Sequence, residues 1–485
     1  GLIGVIAIMY LLILLYRFSG FITSISILIY TVLVFSIFEL IGGRLTLPGI
    51  AAIVIGIGMA VDAAVISFSS IKNELKSGKK LKEAFKIGNK SSIKAIVDSN
   101  ITTLIAAIVL YYFGVSSVKG FATMLIISIF VTIIVMVVFN RYLLKMFVES
   151  GVFDNHEGLF ISKADITKQK VYNFSKYRKV TLVIIPLIIF IIGITSLLTR
   201  GLNLSIDFKG GTNVIINTNE KLSKDGIYED FDALGYKIDS LDFIDKYTAN
   251  VKLKQTFTAE DNEKVNNYYE SKYEESSISI GAISNVVKKD LIKNALKSLL
   301  YACIGILIYI AIRFKFSNSL GAIAALIHDC LIVLFAFSLA HLEVSTVFIA
   351  AILSIIGYSI NDTVVVFDKI REGLEKRGHK KITSQEDLES VVNESLTNVV
   401  GRCIVTSVTT LFPVISLIIF GSHDIVNFNL ALLVGLIAGT YSSMFIAVQL
   451  WMVLEKKNIG KPQKKKWYED DKKEVEELKV KGINC

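Results

Sequence analysis

The chain has 485 residues, of which 53% are hydrophobic and 20% charged, and its mean hydropathy is +0.57. That balance argues against a soluble globular protein and for a chain that crosses a bilayer several times. The net charge of +9 is expected of loops beside anionic lipid, so it gives no reason to invoke nucleic acid.

Apolar runs predict eleven spans, at 2–16, 22–40, 50–70, 97–113, 120–139, 180–198, 298–312, 319–340, 346–367, 401–420 and 429–453, each approaching the roughly 20 apolar residues that a spanning helix needs. The chain opens at Gly1 inside an apolar run, without Met or a basic leader, and reads as a fragment or processed product whose first run is no signal peptide. Spans one to five form a block over 1–150, followed by a linker over 151–179 and a sixth span over 180–199. Residues 200–297 then turn charged throughout, with strand-like runs (213–217, 240–244, 250–253, 278–283) interleaved with helix-like ones (224–234, 259–272). The order β-α-β-β-α-β predicts a small ferredoxin-like α+β domain. Five spans over 298–454 and a basic tail over 455–485, with Lys464, Lys465 and Lys466, complete the chain. Cys303, Cys330 and Cys403 fall within apolar segments and read as small core residues, neither disulfides nor zinc ligands.

Loop charge sets the orientation. Residues 71–94 carry eight lysines and the linker is also basic, whereas loops 41–49 and 421–428 hold only Arg44 between them. The basic loops belong in the cytoplasm, which puts the α+β domain outside and the tail inside.

The chain also repeats itself. Ile57-Gly58-Met59-Ala60-Val61-Asp62 with Phe68 and Ile71 matches Ile356-Gly357-Tyr358-Ser359-Ile360-Asn361 with Phe367 and Ile370, and Thr102-Thr103-Leu104 with Phe113-Gly114 matches Thr409-Thr410-Leu411 with Phe420-Gly421. Two matched blocks in one orientation imply parallel repeats of five and six helices, with a site between them. On this pattern the first block once had a preceding helix and an external domain, which this chain does not carry.

Few polar groups lie inside the spans. A carboxylate near the centre of a spanning helix costs about 2.5–3.5 kcal/mol on insertion scales, so Asp62 and Asp362 are the first candidates. The repeat aligns Asp62 with Asn361 and sets Asp362 one position on, about 100° further round its helix. Gly56, Ala60 and Ala64, with Gly58 one turn before the acid, allow another helix to approach closely. An acid desolvated there could take up and release a proton. Arg402 opens the tenth span, either as a counter-ion to Asp362 or snorkelling to the interface. His328 and Asp329, inside the eighth span, read equally as a relay or a buried packing pair, and His156, His341, His379 and His423 read as solvated. The sequence contains no nucleotide-binding glycine loop, no HExxH and no nucleophile elbow, so no enzyme chemistry is expected.

At this point the motifs are recognisable. Leu45-Thr46-Leu47-Pro48-Gly49-Ile50-Ala51, the Gly58 to Asp62 stretch and Ser99-Asn100-Ile101-Thr102-Thr103-Leu104 resemble the membrane part of SecD. Ile206-Asp207-Phe208-Lys209-Gly210-Gly211-Thr212, His328-Asp329, the run from Gly357 to Glu372, and Arg402 before Thr406-Ser407 resemble SecF. The whole is similar to fused SecD–SecF proteins, lacking SecD's first helix and large external domain. The resemblance implies a fold of the resistance-nodulation-division type. It also implies a multi-pass accessory subunit of the Sec translocon in the bacterial cytoplasmic membrane, which uses a proton or sodium gradient and no cofactor. Its implied partners are the translocon channel with its accessory membrane proteins, unfolded secreted polypeptides and membrane lipids. Asp62, Asp362 and Arg402 match the family's coupling positions. Ala64, Ser69 and Ser70 stand where the family has Asn and a Glu-Arg pair, which alters the surroundings of Asp62. Two rival functions share this architecture: an ion-coupled exporter of small molecules or lipids, and a passive assembly factor of the translocon. The small, highly charged external domain disfavours the first, and the buried acids disfavour the second.

Overall fold

The structure, a computed structural model, describes residues 2–43, 45–114, 116–154, 156–161, 171–273, 275–314, 316–377, 382, 384–422, 425–456 and 459. Arg44, His379, His423 and the basic tail, with Lys464, Lys465 and Lys466, lie outside these residues.

Among the described residues, ten helical segments are long and apolar enough to cross a membrane. They are built on α1 (Leu2–Leu40), α2 (Leu47–Lys76), α3 (Leu81–Phe113), α4 (Ser116–Thr132) continued through a π-helical stretch into α5 (Asn140–Glu149), and α6 (Ile185–Thr199). After the α+β domain come α9 (Asn285–Arg313), α10 (Phe316–Leu339), α11 (Thr346–Arg377), α12 (Gln385–Phe420), and α13 (Val426–Ser442) with a π-helical turn leading into α14 (Val448–Glu455).

The count differs from the eleven expected spans because the first two belong to one helical run that doubles back. Arg17 sits at φ 52, ψ −123, outside the helical region. Ser24 Oγ reaches the Met9 carbonyl, 15 residues earlier, at 3.4 Å, where a straight helix would separate them by about 22 Å. The limbs pack so closely that a Cβ on Gly20 would stand 2.0 Å from the Leu12 carbonyl oxygen. Phe18, at the corner, packs on Phe147, Phe153 and Phe160.

Four helices also run well past their apolar stretches. The expected loop 71–94 is helical apart from a turn at 77–80, and α11 and α12 extend to Arg377 and back from Gln385. Thr46 caps α2, and a capping box of Ser384 and Asp387 starts α12. Lys369 and Lys376 bridge Glu372 along the polar end of α11.

The soluble domain holds β1 (Gly211–Thr218), α7 (Lys224–Ala233), β2 (Ile238–Phe243), β3 (Thr248–Leu253), α8 (Ala259–Lys272) and β4 (Ser276–Ile283). All its pairings are antiparallel, in the order β2-β3-β1-β4, which is ferredoxin-like. It encloses its own core of Val214, Ile216, Phe231, Val251, Val265 and Tyr269. The domain ends earlier than residue 297, because Ser284 caps α9 and the charged first turns of that helix already lead towards the bundle. Several contacts fasten the domain to the helices, among them an ion pair between Lys252 of β3 and Glu343. Asn203–Leu204 pairs in parallel with Glu343–Val344, and Asp207 Oδ2 accepts hydrogen bonds from Thr346 N and Oγ1, both at 2.9 Å.

Candidate ion-coupling site

The two innermost helices carry the acids. α2 is buried without interruption from Ala51 to Phe68, and α11 from Ala350 to Phe367. Small residues make this packing possible in two matching places. A Cβ on Gly58 of α2 would meet the Thr410 side chain of α12 at 3.0 Å, and a Cβ on Gly357 of α11 would meet Thr103 Cα of α3 at 3.2 Å. Thr103 Oγ1 donates to the Gly357 carbonyl at 3.3 Å, and Thr410 Oγ1 lies 2.8 Å from the Tyr358 hydroxyl. Gly58 aligns with Gly357, and Thr103 with Thr410, so each block presents a glycine to the threonine of the other.

Asp62 lies at the centre of this interface, 1% exposed. Its Oδ2 accepts from Asn361 Nδ2 at 2.6 Å, and its Oδ1 from Thr406 Oγ1 at 3.1 Å and Arg402 Nη2 at 3.3 Å. Asn361, the residue the repeat aligns with Asp62, thus sits directly against it. Arg402 is buried and ion-paired with Asp62. This corrects two expectations, since it neither snorkels nor serves as the direct partner of Asp362. The reason is rotational: Thr406 follows Arg402 by four residues, so both project from one face of α12, and that face meets α2.

Asp362 is also 1% exposed, but its Oδ1 has no hydrogen-bond partner. The charges that act on it are Asp62 and Arg402. The site therefore contains two carboxylates for one guanidinium: a fixed ion pair across the blocks and a second acid with an open oxygen. A group of that kind can gain or lose a proton without breaking the pair that joins the blocks.

His328 and Asp329 are buried, but no contact joins them to this centre; they lie against the face of α11 that packs on α10 and α13. His156 and His341 are exposed, as expected.

Two further charged groups escape the reading by apolar runs. Asp98 on α3 receives Arg313 Nε at 2.6 Å and the Tyr309 hydroxyl at 2.9 Å from α9, tying the blocks together again. Placing the fourth span at residue 97 hid it; α3 begins at Leu81, so Asp98 is deep in a helix. Arg141 is buried, donating to the Asn89 carbonyl, Ser67 and Ser92. Its signal is a lone basic residue directly after an apolar run. Among the described residues His, Cys, Asp and Glu form no group that could hold a metal ion.

Comparison with known proteins agrees with this geometry. The family described as protein export membrane protein SecD/SecF, C-terminal, matches residues 2–150 and 262–457, and the SecD/SecF GG motif matches 195–219. The chain belongs to the SecD/SecF family. It is 40% identical over 478 residues to the protein translocase subunit SecDF of Bacillus subtilis (strain 168), covering 95% of this chain and 64% of that one. It is 39% identical over 274 residues to the protein translocase subunit SecF of Sebaldella termitidis, covering 56% of this chain and 87% of that one. The crystal structure of SecDF from Thermus thermophilus is similar with a TM-score of 0.82 at 31% identity, over 94% of this chain and 61% of that one. The chain thus spans less than two thirds of the SecDF proteins that it matches. As a family member with ten helices among the described residues long and apolar enough to cross a bilayer, it is a multi-pass membrane protein.

Proposed function

We propose that this chain is the ion-coupled membrane part of an accessory subunit of the Sec translocase, which promotes protein export across the bacterial cytoplasmic membrane. The observation that carries the reading is the paired Asp62–Arg402 centre with the open oxygen of Asp362 beside it, buried where two glycine-interlocked helical blocks meet. One charge moved across 100 mV releases about 2.3 kcal/mol, enough to bias a two-state rearrangement of the blocks. The energy source is a proton or sodium gradient, and neither a cofactor nor catalytic chemistry is needed. The partners are the translocon channel with its accessory membrane proteins, unfolded polypeptides in transit and surrounding lipid. The relatives named as protein translocase subunits support this reading over a small-molecule exporter, and two buried acids favour it over a passive scaffold.

The test is Asp362→Asn in the full-length protein. Asn keeps the volume and cannot titrate, so gradient-dependent export should be lost while the protein remains folded and inserted. Full export by this variant would sink the ion-coupling role.

A further inference from the structure

Asp329 is completely buried in α10, yet it has partners on three helices. Its Oδ1 faces His328 Nδ1 at 3.0 Å, and its Oδ2 accepts from Ser359 Oγ of α11 at 2.6 Å and Ser442 Oγ of α13 at 2.8 Å. When Asp329 is a carboxylate, Nδ1 must carry the donated hydrogen, which leaves Nε2 of His328 with a lone pair. That nitrogen is buried and has no hydrogen-bond partner. Immediately below, Ser443 at the start of the π-helical turn bonds Thr363 at 2.8 Å and the Ser359 carbonyl at 3.3 Å. Such turns recur at functional positions in helices.

The first block has no such centre. At the offset of 299 that aligns Asp62 with Asn361, Asp329 falls on Tyr30 and Ser359 on Ala60. Ser359 precedes Asp362 by three residues on α11, and that helix serves both centres: Asp329 is otherwise held from α10 and α13, whereas the Asp62 pair beside Asp362 joins α2 to Asn361 of α11 and Arg402 of α12.

We propose that His328 and Asp329 form a second proton-binding centre, peculiar to the second block. Nε2 of His328 takes up the proton, and Asp329, held by two serine hydroxyls, neutralises the imidazolium that results. Proton uptake moves the pair from one negative charge to none, so the loaded state leaves no net charge in the bilayer. Because Asp329 joins α10, α11 and α13, the change is felt on the helix that carries Asp362. The titratable groups facing the pair are few. α13 brings Tyr441, whose ring centroid is 5.9 Å from that of His328 and whose hydroxyl donates to the Thr181 carbonyl. α10 itself brings Cys330, the residue that follows Asp329. α11 brings Ser359, and α14 has Glu455, which bonds Ser317 near the other end of α10. Among the described residues no ion pair joins Asp329 to any group but His328.

The test reads the bound proton and not export, so its failure is distinct from a failure of the ion-coupling reading. Full-length protein with 15N-labelled histidine is reconstituted in vesicles, and the imidazole nitrogens are followed by solid-state NMR between about pH 5 and 8. A titrating Nε2 signal distinct from those of the exposed histidines is expected, absent in His328→Gln and displaced in its midpoint in Ser359→Ala/Ser442→Ala, which removes both donors to Oδ2. A His328 signal constant across this range would overturn the proposal. So would a midpoint indifferent to loss of both serines, since Asp329 would then not set the charge balance.

Discussion

At Asp62 and Asp362, two acids of equal burial carry different structural duties. Asp62 holds the guanidinium of Arg402 between the blocks, and breaking a buried pair by removing one partner costs about 3–5 kcal/mol. Asp362 presents an oxygen without a donor, so neutralising it relieves a buried polar atom and breaks no bond at that oxygen. Asp62→Asn should therefore lower the thermal stability of the detergent-solubilised protein by an amount of that order, whereas Asp362→Asn should leave it unchanged or raised. Equal losses in both melting curves would contradict the division of roles. All three residues are legible in the sequence as candidates, because an ionisable group within an apolar run carries an insertion cost that calls for a reason. Which acid pairs with Arg402 is not legible, since successive residues differ by about 100° around a helix and only the packing of α12 on α2 selects the direction. The repeat alignment comes nearest, because it sets Asn361 against Asp62, and the structure joins the two with a 2.6 Å hydrogen bond.

Among the elements, the interlocking of helices rests on missing side chains. A Cβ at position 357 would meet Thr103 Cα, part of the backbone of a packed helix, at 3.2 Å, whereas nothing lies within 4 Å of one at Gly401. Gly357→Val should thus destabilise the protein by about 1–3 kcal/mol through overpacking. Gly401→Ala should be neutral or stabilise by up to about 1 kcal/mol through helix propensity. Thermal melts of the two variants side by side check this, and a harmless Gly357→Val would mean that the blocks do not meet there. In the soluble domain, Thr258 and Asp261 form a capping box at the start of α8, to which the Tyr236 hydroxyl adds a 2.6 Å bond. The Thr258 backbone N–H, then the Tyr236 and Thr258 hydroxyls, hold the Asp261 carboxyl below its ordinary value. Burial, and then the hydrogen bond to that carboxylate, pushes the Tyr236 phenol up to about 12. A carboxyl depressed in the folded state stabilises above its unfolded value of about 3.9, and the benefit is lost as pH falls through the folded one. The isolated domain, which has its own core, should melt higher than its Asp261→Asn variant at neutral pH, with the difference disappearing on acidification below about pH 4. A constant difference down to pH 2 would assign the effect to packing. The domain's strands and helices are legible to within a few residues because alternation and capping are local signals. The corner at Arg17 falls between the expected spans 2–16 and 22–40, but its tightness is not legible, since a turn of positive φ at a non-glycine residue depends on the close approach of Gly20 to Leu12.

For the whole molecule, helix order fixes which ends lie together, and charge assigns the sides. The turn at 77–80 joins α2 to α3, and the corner at Arg17 bonds the Gly158 carbonyl at 2.5 Å, so these basic segments share one end of the bundle. The α+β domain lies at the other, where Asn203–Leu204 pairs with Glu343–Val344 between α10 and α11. Positive residues stay in the cytoplasm, so the domain should face outwards, where a polypeptide leaving the translocon would meet it. Asn219 and Ser77 are both exposed and mark the two ends. In a cysteine-free background, Asn219→Cys in intact cells should react with an impermeant thiol reagent added outside, and Ser77→Cys should react only after the membrane is opened. The reverse pattern would place the domain in the cytoplasm and remove the emerging polypeptide as its partner. Labelling of both from outside would break the odd number of crossings, by α3, the α4–α5 run and α6, that separates residue 77 from residue 219.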